Sequence, residues 1–122
     1  MTASLFQRLG GDVEIEAIVD DAIDRHAANP LLAARLRGRD LPQLKTISAS
    51  LLSARAGGPR QVEDSAMSMK ATMYAGMSFR ADEWAAVMDD IAAAMAEHGV
   101  RAVEVREVAD LLQAAAGEAL RR

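Results

Sequence analysis

The sequence predicts an all-α protein, and three observations carry that prediction. Alanine, leucine, arginine and glutamate dominate the composition, and all four are good helix formers. Aromatic residues make up only 3%, and the β-branched residues stand singly, with no strand-like run. Between glycine and proline marks at Gly10-Gly11, Asn29-Pro30, Gly38, Gly57-Gly58-Pro59 and Gly99, the apolar residues recur with a helical period.

A short N-terminal helix comes first. In the helix that follows, Ile15, Ile18, Val19, Ala22 and Ile23 form one apolar stripe that runs to about Asn29. Asn29 followed by Pro30 reads as the N-cap and first position of a short new helix. Asp40 caps the next helix, with Leu41 and Pro42 in its first turn and Leu44, Ile47, Leu51 and Leu52 on its buried face. Gly57-Gly58-Pro59 stops it, since glycine accepts the left-handed cap and proline cannot continue a helix. After a looser stretch, a methionine-rich helix is expected from about Ser65 to Met77. Trp84, Val87, Met88, Ile91 and Met95 then give the clearest amphipathic pattern, ended by Gly99. The last helix turns Val105, Val108, Leu112 and Ala115 inward. With no strand to offer a second layer, these helices must pack on one another.

The 122 residues suit one domain spanning 1–122, and half of them are hydrophobic, enough for a real core. A net charge of −4 argues against nucleic-acid binding. Arg35, Arg37 and Arg39 read as a solvated turn rather than an anion site. The absence of cysteine excludes disulfides, thiolate metal sites and cysteine nucleophiles. No apolar run approaches the roughly 20 residues needed to span a bilayer, and Met1-Thr2-Ala3-Ser4 lacks the features of a signal peptide, so a cytoplasmic location away from membranes is expected.

Three motifs make the chain resemble the group I truncated haemoglobins: Ser4-Leu5-Phe6-Gln7-Arg8-Leu9-Gly10-Gly11; Val19-Asp20-Asp21-Ala22-Ile23-Asp24-Arg25 with Ala28-Asn29-Pro30; and Leu44-Lys45 followed by Gly57-Gly58-Pro59. Ala75-Gly76, Phe79 and Trp84 continue the match. The resemblance implies a two-on-two helical sandwich, with haem binding and oxygen or nitric oxide chemistry as the family activity.

Residue by residue, that activity is not carried over. The proximal histidine of the family falls on Tyr74, and no histidine lies between His26 and His98. The distal tyrosine falls on Ile23 and the aromatic residue beside it on Ala22. The phenylalanine pair that wedges the haem falls on Arg35 and Leu36, and the distal polar residue on Ser48, with Leu44 one turn earlier. Ordinary haem ligation is lost, and no haem is expected unless Tyr74 or Met73 supplies a non-histidine ligand, with His26 opposite.

Other candidates compete with plainer readings. Met69, Met73 and Met77 repeat every four residues and line one face, which suits Cu(I) or an adaptable apolar surface; flexible methionines also fill irregular space. Tyr74, with Lys70 one turn before it, is either an iron ligand or a pocket-filling ring. His26 either faces the pocket or sits partly buried near a helix end, and His98 suits a helix C-terminus electrostatically. Ser48 is expected to bond the carbonyl one turn back. Nothing in the sequence argues for catalysis. The sequence thus predicts a non-enzymatic, non-canonical globin that binds a small apolar ligand or a protein partner, in a sensing role, and it is compatible with a homodimer. Its cavity is expected between Ile23, Leu36, Leu44, Ser48, Met69, Met73, Tyr74, Met77 and Trp84. Atypically ligated haem and a Cu(I) site are the alternatives.

Overall fold

The computed structural model describes residues 3–58 and 79–120, with side chains described as far as Ala114 in the last helix. These residues form six helices and no strand: α1 (Leu5–Leu9), α2 (Gly11–Ala28), α3 (Ala33–Leu36), α4 (Leu41–Arg55), α5 (Ala81–Glu97) and α6 (Ala102–Leu120). The methionine-rich helix, with Met69, Met73, Tyr74 and Met77, lies outside the described residues.

The helix ends follow local chemistry. Ser4 caps α1 by accepting from the Gln7 amide at 3.2 Å, while the Gln7 side chain accepts from the Ser4 amide at 3.1 Å. Asp40 accepts from the Gln43 amide at 3.1 Å to start α4, with Leu41 and Pro42 in its first turn. Gly99, at φ +78°, lets the chain leave α5 through the left-handed region. Asn29 ends α2 and also takes its expected capping part: its side chain accepts from the Leu31 amide at 3.0 Å and its carbonyl from the amides of Leu32 and Ala33 at 2.9 and 2.8 Å, with regular helix resuming at Ala33.

α2 is the central element. It packs on α4 at one side and on α5 at the other; α5 also pairs with α6, and α1 lies against both α2 and α6. The pairs α2/α4 and α5/α6 are the two layers of a two-on-two sandwich. Ile15, Met95 and Val108 are fully buried between them with Ile18 and Leu52. Each such side chain stabilises the fold by about 1.5–3 kcal/mol before the costs of ordering it.

The first and third sequence motifs meet in space. The Phe6 amide donates to the Ala56 carbonyl at 2.9 Å, and the Phe6 ring lies so close to Gly58 that a Cβ there would stand 2.6 Å from Cδ1. Glycine is required at 58 because the ring occupies the space a side chain would need. At the other end of α1, Arg8 donates two hydrogen bonds to Glu107, each 2.8 Å, and ties α1 to α6.

Candidate ligand cavity

A cavity of about 80 Å³ lies between the two layers. Among the described residues, α2 supplies Ile18, Val19, Ala22, Ile23 and His26 to its wall, and α3 supplies Leu36. Leu44, Ser48 and Leu52 come from α4, Phe79 from the segment before α5, Val87 and Ile91 from α5, and Leu112 from α6. The i, i+4 spacing of Leu44, Ser48 and Leu52 points all three to one side of α4, and Val87 and Ile91 do the same on α5.

His26 and Ser48 are the polar members of this wall. The expected back-bond from Ser48 to the preceding turn is not formed, and its hydroxyl has no hydrogen-bond partner among the described residues. His26 is 12% exposed, and its Nδ1 lies 2.9 Å from Oδ2 of Asp90 on α5, whose side chain is 17% exposed. Asn29 Nδ2 donates to the same Asp90 oxygen at 3.2 Å. A three-residue polar cluster therefore joins the end of α2 to the middle of α5 beside an apolar space. His98 is not part of this wall. It caps the end of α5, with Nε2 3.4 Å from Asp21 Oδ2.

Trp84 corrects an expectation, since it is not on the cavity wall. Its ring packs against Phe79 at 5.9 Å between centroids, and its Nε1 donates to Gln113 at 3.4 Å. Phe79 stands in the inner position because it precedes the helix and turns inward, which leaves Trp84 one layer back beside Leu32 and Val87. The arginine turn is also not wholly solvated. Arg37 and Arg39 are exposed, but Arg35 donates to both carboxylate oxygens of Glu83 at 2.8 and 2.7 Å and lies 5.8 Å above the Phe79 ring. Glu83, only 4% exposed, also accepts from the Arg80 amide at 2.9 Å. The Arg35 hydrogen bonds, helped by that amide, hold the Glu83 carboxyl down at about 2. Thus the position where the resemblance expects a wedging aromatic is an ion pair that fastens α3 to the start of α5.

Sequence reasoning missed Asp90, Asn29 and Phe79. For Asp90 the available signal was its place three residues after Val87 and one before Ile91, a carboxylate at the edge of an apolar stripe. No three His, Asp or Glu side chains converge as a metal site among the described residues. None of the described helices is long and apolar enough to cross a membrane.

Comparison with known proteins agrees with this architecture. A family model described as bacterial-like globin matches residues 4–120. A group 1 truncated hemoglobin of Nostoc sp. (strain MUN 8820) is 27% identical over 108 residues, covering 88% of this chain and 89% of the relative. The 2/2 hemoglobin of Synechococcus sp. PCC 7002, solved in the cyanomet state with covalently attached heme, superposes with a TM-score of 0.82 at 16% identity, covering 98% of this chain and all of the other. The Fe(III) form of the truncated hemoglobin of Tetrahymena pyriformis gives 0.79 at 20% identity, over 91% of this chain and 92% of that one. With the helical pairs, the glycine turns and the inter-layer cavity all in place, the chain belongs to the bacterial-like globins and has the truncated, two-on-two form of that fold.

Proposed function

We propose that this globin binds a small apolar ligand in the cavity between α2, α4, α5 and α6, without histidine-ligated iron. The observation that carries this reading is the wall itself, apolar at every described residue except His26 and Ser48. Binding would rest on removing an apolar surface from water in a preformed space.

The relatives are haemoglobins, so haem is the first occupant to weigh. The residues present do not fit it as haem held by the family's proximal imidazole. The sequence holds two histidines. One ends α5 against Asp21, and the other, His26, stands on α2 with its Nδ1 held by Asp90, away from the stretch where the resemblance puts the proximal ligand. The stretch 59–78, where the resemblance puts the proximal ligand, contains no histidine at all. The cavity of about 80 Å³ is also well below the roughly 300–1,000 Å³ of pockets that enclose larger organic ligands. It suits a ligand of a few heavy atoms.

Furan, a five-membered apolar ring, is a suitable probe, with a dissociation constant expected on the order of 1 mM. Titration followed by NMR should show saturable shifts at Ile23, Ile91 and Leu112. Hemin titrated into the same protein should give no Soret band that saturates at one per chain. A saturating band would overturn the reading and turn attention to Tyr74 and Met73 as ligands.

A further inference from the structure

The polar cluster at His26 settles which proton the imidazole carries. Asn29 Oδ1 accepts a hydrogen bond from the Leu31 amide at 3.0 Å, so the amide group cannot be turned round, and its Nδ2 faces Asp90. The Asp90 carboxylate therefore acts as an acceptor toward Asn29, and an ionised carboxylate can only accept. Its Oδ2 lies 2.9 Å from His26 Nδ1, which must then be the N–H nitrogen. In the neutral ring the lone pair falls on Nε2. Nε2 has no hydrogen-bond partner among the described residues, and the residue that carries it lines the cavity.

We propose that His26, oriented by Asp90 and Asn29, offers Nε2 as a hydrogen-bond acceptor to the occupant of the cavity, so that the site selects small apolar molecules bearing one N–H or O–H donor. The proposal rests on the apolar-ligand reading above and names the ligand class. Asp90 and Asn29 are positioning residues: they fix the ring and its tautomer from outside the cavity, as a carboxylate behind a histidine commonly does. An apolar wall rewards shape alone, and one acceptor in that wall adds a preference for a ligand that can satisfy it. The same acceptor penalises a ligand that covers it without a donor.

Pyrrole and furan test this directly, because they share ring size and shape and differ in the N–H. With the wild-type chain at pH 8, pyrrole should bind about five-fold more tightly than furan, the advantage of one net hydrogen bond. The Nε2 nitrogen-15 resonance should be of the pyridine type in the free protein and move toward the pyrrole type with pyrrole but not with furan. That measurement needs no variant. In His26→Leu the two rings should bind equally, whereas Ser48→Ala should keep the preference for pyrrole. Equal binding of both rings to the wild type would overturn this inference and leave the cavity reading standing. A preference lost in Ser48→Ala but kept in His26→Leu would overturn it by moving the acceptor to Ser48. Failure of both rings to bind would overturn the cavity reading and this inference with it.

Discussion

Replacing Ala22 with leucine should make the protein more stable and unable to bind its ligand. Ala22 is 5% exposed and lines the cavity from the middle of α2. Ala22→Leu adds three carbons pointing into a space of about 80 Å³. At about 24 cal/mol per Å³ of cavity removed, complete filling would contribute about 2 kcal/mol. The new side chain loses about 0.5–1 kcal/mol of rotamer entropy. The net expectation is a gain of about 1 kcal/mol, or about 4 °C in Tm for a chain of this size. Urea denaturation followed by far-UV circular dichroism would show it as a higher midpoint at unchanged slope. Furan titration of the same variant should show no saturable shifts. A loss of 1 kcal/mol or more would mean that the wall around Ala22 is already packed. A gain in stability with furan binding intact would mean that the ligand sits elsewhere, and either result refutes the reasoning.

Two further outcomes follow from other contacts. Gly58→Ala places a Cβ 2.6 Å from Phe6 and 2.7 Å from the Ser53 hydroxyl, which is itself bonded to Asp12 at 2.9 Å; the variant should lose about 1–3 kcal/mol, read as a lower thermal midpoint, and an unchanged midpoint would show that the Phe6 ring yields freely. The Glu83 carboxyl is held at about 2 by Arg35, below its ordinary 4.5, so its contribution is fully present above the ordinary carboxylate range and is lost as pH falls from about 4.5 toward about 2. Wild type should therefore exceed Glu83→Gln in stability most clearly at about pH 7, with the gap closing through that window; a gap that persists at about pH 2 would assign the difference to packing rather than to the ion pair.

The helices were legible because their ends carry local signals. Ser4, Asp40 and Gly99 act within three residues of themselves, and the sequence displays such short-range chemistry directly. The faces of α2 and α5 were legible for a related reason, since period fixes direction. What period cannot fix is depth. Trp84 and Val87 share the stripe of α5, yet Val87 reaches the cavity and Trp84 stays behind Phe79. Ile23, Leu36, Leu44 and Ser48 could be nominated from the resemblance, and His26 from its place on the apolar side of α2, and all five lie on the wall. The use made of His26 could not be read in the same way. It depends on Asp90, 64 residues away in the chain, and no local pattern links the two. Arg35 hid its role for the same reason, because its partner Glu83 is 48 residues on.

The five residues of α1 have a consequence for how the chain assembles. Phe6 docks on the end of α4, and Arg8 grips α6 through Glu107, 99 residues later in the chain. Every other helix contact joins elements closer together than that. Closing so long a loop gives little return until α2, α4 and α6 are already in position. The grip of α1 on α4 and α6, unlike its packing on neighbouring α2, is therefore expected to close late, and cleavage near Ser4 would report whether those distant contacts have formed.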